Sequence, residues 1–430
     1  MKLKASQFIY NVLILPLLIL LLKAISHKNK KIKETLAGQT GIWQRIESQI
    51  KNKDNNKTVI WFHVASAGEF LQALPVMERL MKENYQCALT ITSVSGYRWA
   101  MKKRSQYPNI FLIDYFPFDS KQNVQRLLAH INPKVLVFVK FDLWPNLIWQ
   151  TSQLKIPQIL ISATLQEKSK RVTSILGRMF YSTLYADLNQ ILTVTEQDRE
   201  RFITSCPTHK GIKNAGDTRF DSVLDRKSNL ITPELPIDTT NKKILLLGSI
   251  WPADEERILT QLQKLLKQHQ ELLIIFAPHE IEEEHINKVL KLFTDFLPVL
   301  FTKPGLKISP QSRFLMIDTV GILSALYKYA DVAYVGGAFS TGVHNTMEPA
   351  AMEVPVIFGP YYQNSPEAIY MVNHKLSFSI QNADEFRAIL SKLLTDNKFR
   401  EQTGRNAARY IDDQAGAAEI CFEKIKDLAE

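Results

Sequence analysis

Four short segments of this 430-residue chain hold side chains whose type and spacing could do chemistry. HVASAGEF, at 63–70, ends an apolar run in small residues and then sets Glu69 at the start of a helical pattern. Small residues at a strand-to-helix turn let a ligand come close to the backbone. A carboxylate there can act as a general base or simply offset the helix dipole. FDLWPNLIW, at 141–149, offers Asp142 as a helix cap and Trp144 as a packing residue. GDTRFDS, at 216–222, offers Arg219, suited to gripping a phosphate at two points or to pairing with Asp217 or Asp221. The fourth, at 331–360, reads DVAYVGGAFSTGVHNTMEPAAMEVPVIFGP: strand, glycine-containing loop, helix, strand. Asn345 is the expected N-cap, and Glu348 follows three residues later as in a capping box. A helix N-terminus facing a glycine-rich strand exit suits an anion.

Other chemistries lack their residues. HEIEEEH, at 279–285, sets its histidines six apart, so one helix face cannot present both to zinc. The chain has no Asp-x-Asp motif for a metal-bound sugar nucleotide, no GxxxxGK[ST] phosphate loop and no serine nucleophile elbow. A metal-free site without a cofactor is the expectation.

Alternating elements must position these segments. Apolar strands are expected at 59–64, 88–92, 110–115, 135–141, 158–162 and 190–194, separated by helical spacing as at 69–82 and 121–130. That alternation predicts a parallel sheet covered by helices on both faces. The polar, proline-containing stretch 221–241 lacks periodicity and reads as a linker. A second series follows, with strands at 244–248, 272–277, 314–317, 332–335 and 356–358, and the last 35 or so residues read as amphipathic helix. The fold class is therefore α/β, with two doubly wound Rossmann-like domains. Such sheets take ligands at the carboxyl ends of their strands, which makes the cleft between two halves the expected site. The expected division is 1–33 anchor, 34–225 N-terminal domain, 226–241 linker, 242–410 C-terminal domain and 411–430 C-terminal helix.

Charge and hydropathy concern the amino end. Of the formal +10, +8 falls in residues 1–57, which hold eleven Lys/Arg and three acids. The folded body is close to neutral, unlike a nucleic-acid-binding domain. Residues 8–22 (FIYNVLILPLLILLL) are mostly apolar, short of the roughly 20 residues that span a bilayer. An uncleaved membrane anchor, spanning or partly embedded, is favoured over a cleaved signal peptide, because 24–26 make a poor cleavage site. The lysines that follow put the rest of the chain in the cytoplasm and fit anionic lipid. The three cysteines, far apart, fit a reducing compartment.

HVASAGE, LWPNL, GDTRFD, FAPH, IDTVGILSALYKYADVAYVGGAF and HNTMEPAA…PVIFGP occur in this order along nearly the whole chain. In these motifs the chain resembles the 3-deoxy-D-manno-octulosonic acid (Kdo) transferases of lipopolysaccharide assembly, inverting glycosyltransferases of the GT-B fold. The resemblance implies CMP-Kdo as donor, a lipid A precursor (lipid IVA) as acceptor and a place at the cytoplasmic face of the inner membrane. It implies Glu69 as the base that deprotonates the acceptor hydroxyl and Arg219 as a cation at the transition state. It assigns Pro278, His279, Gly321, Ile322, Leu323, Asn345, Thr346, Met347 and Glu348 to the CMP moiety. Lys140 and Asp142 fall at a transition-state or cleft position, Lys140 where the family commonly has a carboxylate. His279 stands for a usual arginine, Val343 for a glycine, Ile322 for an acid, and Ser162-Ala163-Thr164 for Asn-Ala-Arg. Two other readings are a GT-B transferase using a UDP-sugar, such as a lipid A disaccharide synthase, and a membrane-anchored module that binds anionic glycolipid.

Overall fold

The computed structural model describes residues 2–303 and 309–430. The chain forms two units: Met1–Ser222 with Gln414–Glu430, and Val223–Asp413. In unit 1, α1 (Lys2–Ile9) passes through a π-helical turn (Tyr10–Ile14) into α2 (Leu15–Ser26), followed by α3 (Lys30–Gln39) and α4 (Ile42–Ile50). Strand and helix then alternate: β1 (Thr58–Val64), α5 (Ala67–Lys82), β2 (Tyr85–Ile91), α6 (Val94–Lys103), β3 (Ile110–Tyr115), α7 (Lys121–Ile131), β4 (Val135–Val139) and α8 (Pro145–Gln153). The series closes with β5 (Gln158–Ala163), α9 (Lys170–Thr173), α10 (Ile175–Ala186), β6 (Gln190–Thr193), α11 (Glu196–Ser205) and β7 (Ile212–Asn214). Helix α12 (Thr218–Asn229) carries the chain onward.

Unit 2 repeats the scheme with β8 (Lys243–Ile250), α13 (Pro252–Gln268), β9 (Leu272–Pro278), α14 (Glu283–Leu292), β10 (Val299–Leu300), β11 (Phe314–Met316) and α15 (Leu323–Leu326). It continues with β12 (Val332–Val335), α16 (Met347–Ala351), β13 (Val356–Phe358), α17 (Pro366–Asn373), β14 (Ser377–Ser379), α18 (Ala383–Thr395) and α19 (Asn397–Asp413). Helix α20 (Ala417–Ala429) returns to unit 1.

Each unit holds a seven-stranded parallel sheet, ordered β3-β2-β1-β4-β5-β6-β7 in one and β10-β11-β9-β8-β12-β13-β14 in the other. Both faces are covered, so the central strands are mostly apolar rather than alternating. On β1, Val59 and Trp61 join one core cluster while Ile60, Phe62 and Val64 join the other, on the opposite face. On β8, Leu245 and Leu247 face one cluster and Ile244 and Leu246 the other.

The departures from the expected elements have local causes. Strand β4 stops at Val139 instead of 141 because Lys140 takes a left-handed φ of 66° and turns the chain. Strands β7, β10 and β14 have three, two and three residues, too few to show a period. The stretch 221–241 is not linker throughout, since α12 runs to Asn229 with Phe220 and Val223 buried. Asp221 on that helix accepts from Gly416 N–H (3.0 Å) and Ala418 N–H (3.2 Å), capping α20. The C-terminal helix, expected as a separate segment, supplies Cys421, Phe422 and Ile425 to the core of unit 1.

Candidate functional site

The unit 1 residues singled out in the sequence stand at the carboxyl ends of its strands. Ser66 caps α5 and puts Glu69 in the first turn, next to the exit of β1. The Glu69 side chain folds back, so that Ala65 N–H donates to its Oε2 at 2.5 Å. Glu69 is only 5% exposed, and burial pushes its carboxyl up to about 7. The negative charge of Asp142 adds to the rise, while the Ala65 bond and the charge of Lys140 oppose it. Lys140 and Asp142 are thus both brought within electrostatic reach of Glu69.

Asp142 is held differently. Burial alone would raise its carboxyl, but hydrogen bonds from His63, Thr92 and Trp144 outweigh it and keep the group below its ordinary value. His63 Nε2 lies 3.1 Å, Thr92 Oγ1 3.0 Å and Trp144 Nε1 3.2 Å from Asp142 Oδ2. Behind them, Trp61 Nε1–H donates to Thr90 Oγ1 (2.9 Å), and Thr90 faces His63 Nδ1 at 2.9 Å. With the Thr90 hydroxyl donating to Nδ1, His63 carries its proton on Nε2 and donates to Asp142. Asp142 is therefore not the helix cap expected from the sequence; α8 has Trp144 at its cap, and Asp119 accepts from Asn146 and Leu147 N–H instead. The two carboxyls are set apart, one lasting anion and one poised to take a proton near neutrality.

Arg219 pairs with Asp217 through Nε–H (2.8 Å) and its own backbone N–H (2.9 Å), one of its two expected structural pairings. Its segment is tied to α5, because Thr218 donates to Gln72 O (2.7 Å) and Gln72 donates to Asp217 (3.3 Å). Lys140, just after β4, and Ser162, near the end of β5, have φ of 66° and 47°. Such conformations cost on the order of 1 kcal/mol each and tend to collect at ligand sites. Beside them a cavity of about 340 Å³ is lined by residues including Lys140, Thr164, Gln166 and Arg171.

The CMP-assigned residues lie at the carboxyl ends of the unit 2 strands. Pro278 ends β9 beside Ile250, and His279 N–H donates to Ile250 O (2.8 Å). The His279 ring stacks on Trp251 at 4.1 Å and meets His344 at 4.8 Å. Trp251 Nε1–H donates to His344 Nε2 (2.8 Å), which needs that nitrogen unprotonated. Burial first, then neighbouring His279, keep His344 below the ordinary imidazole value. Gly321 has φ +91°, and Ile322 and Leu323 open α15. The expected cap at Asn345 appears in part: its Oδ1 accepts from Met347 N–H (3.0 Å). The expected capping box does not form with Glu348, whose carboxylate pairs with Arg226. Burial raises the Glu348 carboxyl, and Arg226 and Asn345 oppose the rise. Thr346 is fully buried, and its hydroxyl has no hydrogen-bond partner among the described residues. Helix α16 is only five residues long, so its dipole is weaker than the sequence implied.

Asp254, which the sequence did not single out, organises this edge. It is fully buried, with Oδ2 accepting from Trp251 N–H (3.1 Å) and Gly337 N–H (2.8 Å) and Oδ1 from Tyr334 OH (2.9 Å). Gly336 is needed because a Cβ there would stand 2.3 Å from Ser249 O. His63 and Thr90 were missed for the same reason as Asp254: a polar residue in an apolar strand, or an acid in a first helical turn, looks ordinary until its partners are seen. The HEIEEEH histidines also have separate places, His279 on Trp251 and His285 on Glu255 at 2.7 Å.

The profile of a family described as 3-deoxy-D-manno-octulosonic-acid transferase (kdotransferase) matches residues 40–222. A bifunctional glycosyltransferase/methyltransferase of Fusobacterium nucleatum is 26% identical over 86% of this chain, which spans 59% of that relative's length. A 3-deoxy-D-manno-octulosonic acid transferase of Haemophilus influenzae is 23% identical over 99% of both chains. Among solved structures, UDP-GlcNAc 2-epimerase from Neisseria meningitidis bound to UDP-GlcNAc has a TM-score of 0.56, with 13% identity over 83% of this chain and 99% of that one. A glycosyltransferase from Rickettsia africae has a TM-score of 0.52, with 11% identity over 88% of this chain and 100% of that one. The structural likeness is one of fold, the GT-B class.

Proposed function

We propose that this chain, which is similar to the Kdo transferases, is a glycosyltransferase that moves Kdo from CMP-Kdo to a lipid A precursor with Glu69 as general base. One observation carries the assignment of the base: a buried carboxyl at the exit of β1 whose affinity for protons is raised to about 7. A base works best when its pKa lies near the working pH. The acceptor hydroxyl gives its proton to Glu69 as its oxygen bonds to the anomeric carbon of Kdo. The bond from that carbon to the CMP phosphate oxygen breaks, and CMP departs with the electron pair. In this proposal Pro278, His279, Gly321, Ile322, Leu323, Asn345, Thr346, Met347 and Glu348 receive CMP, and Arg219 adds positive charge. No metal takes part. His279, exposed and backed by the Trp251 indole, offers a flat face in place of a guanidinium. The cavity between Lys140 and Arg171 accommodates anionic groups of the acceptor. The reaction takes place at the cytoplasmic face of the inner membrane. Among the described residues one helix, Ser6–Ser26, is long and apolar enough to cross a membrane.

Incubating the purified chain with CMP-Kdo and lipid IVA and reading product mass tests this function. Addition of whole Kdo units is expected; UDP-sugars in place of CMP-Kdo should yield nothing. Transfer from a UDP-sugar alone would overturn the donor assignment.

The base assignment also predicts a pH profile. Below about 7 Glu69 holds a proton and cannot accept another, so turnover should fall about tenfold per pH unit on the acid side and level off above. Turnover measured at saturating substrates checks this. A drop placed near 4.5, the ordinary value for Glu, would remove the case for a buried base.

A further inference from the structure

The N-terminal helical segment could span a bilayer by length, but one side of it is already occupied. Tyr10 OH donates to buried Asp119 Oδ2 at 2.9 Å, the same carboxylate that caps the start of α8. Asn11 and Asn146 exchange side-chain hydrogen bonds at 3.1 and 2.8 Å. The Tyr10 ring meets Trp149 edge-on at 5.7 Å, and Leu15 and Ile19 join the same core cluster of unit 1.

This less exposed stripe runs the length of the helix: Leu15 is buried, and Gln7, Asn11, Ile19, Leu22 and Ser26 are partly buried, at helical spacing. The π turn maintains it. Leu15 N–H bonds to Tyr10 O, five residues back, which brings Tyr10 and Leu15 onto one side despite a spacing an α-helix would splay. A helix surrounded by lipid would have no such stripe. Its opposite side is apolar and bare, with Phe8 65%, Leu13 61%, Leu17 59% and Leu20 63% exposed. Helix α10, which packs into the same cluster through Tyr185, adds Ile175, Leu176 and Met179 at 67%, 79% and 55% exposure. Lys28, Lys30, Lys31 and Lys33 follow directly, with Lys168 and Lys170 before α10 and Arg178 within it.

We propose that α1 and α2 lie along one leaflet of an anionic bilayer, clamped to unit 1 on one side and immersed on the other, with α10 as a second contact, and that the chain does not cross the membrane. Spanning would pull Tyr10 and Asn11 off Asp119 and Asn146 and strand polar groups in hydrocarbon. The flanking lysines select anionic headgroups. This attachment does not depend on which sugar is transferred.

Single-cysteine accessibility in bacterial cells tests the topology, because Cys87, Cys206 and Cys421 are buried. Lys4→Cys and Lys30→Cys should both resist a membrane-impermeant maleimide in spheroplasts and both react after permeabilisation. Labelling of Lys4→Cys from outside, with Lys30→Cys protected, would overturn the proposal. Nitroxides at Leu13, Leu17 and Leu20 should report one common depth from oxygen and nickel-chelate collisions; a depth gradient along the helix would mean a tilted span. Full-length protein should bind vesicles containing phosphatidylglycerol at least about a hundredfold more tightly than pure phosphatidylcholine vesicles. Equal binding to both would refute the anionic surface as partner.

Discussion

Glu69→Gln should lower turnover by about 10²- to 10⁴-fold, the usual contribution of a positioned base, with CMP affinity changed less than about twofold, since a base acts on the acceptor proton and not on the nucleotide. The substitution is nearly isosteric, and a glutamine Oε1 can still accept from Ala65 N–H, so the cap at α5 and the small-residue turn should survive. The raised carboxyl is replaced by an amide that cannot take a proton, while the Asp142 network stays intact. Product formation gives turnover, and calorimetric titration gives CMP affinity. If turnover stays near that of the parent, Glu69 is a helix-start acid and nothing more; if both quantities collapse, its role is structural.

The second large effect is expected at Asp254. Asp254→Ala removes the acceptor shared by Trp251 N–H, Gly337 N–H and Tyr334 OH, all at a fully buried carboxylate. Stranding buried donors costs about 1–3 kcal/mol each, partly relieved by relaxation, so a loss of roughly 2–4 kcal/mol is expected for unit 2. The Gly336-Gly337 turn should loosen as well, and with it the position of His344. CMP affinity should therefore weaken along with stability. Denaturant unfolding followed by fluorescence measures the first and calorimetry the second. Asp254→Asn, which keeps one acceptor oxygen, should fall in between. A loss below about 1 kcal/mol in Asp254→Ala would show that water or a shifted loop replaces the carboxylate.

Much of the fold was legible because doubly wound sheets advertise themselves. Their central strands are mostly apolar, so β1, β4, β8 and β12 stood out as runs, and the helices between them kept a 3.6-residue spacing. Short edge strands such as β10 and β14 carry no period and were invisible. Helix α12 was missed because its acid serves another helix 195 residues away, a pairing that only the folded chain reveals. The site was legible to the same degree. Glu69 could be placed because the small residues before it mark a tight strand-to-helix turn. Its raised affinity for protons could not, because that depends on burial and on Asp142, 73 positions along the chain. Glu348 looked like a local cap partner, but its charge is met by Arg226, 122 residues earlier in the sequence.

The return of α20 to unit 1 has a consequence for how the molecule is made. Unit 2 is an insertion between two parts of unit 1. During synthesis the first 222 residues emerge with the slot for Cys421, Phe422 and Ile425 still open, and the Asp221 carboxylate lacks the N–H groups of Gly416 and Ala418. Unit 2, contiguous in sequence, can finish while unit 1 waits. The half translated first is thus completed only after unit 2, so a nascent chain holds an exposed apolar strip until α20 has left the ribosome.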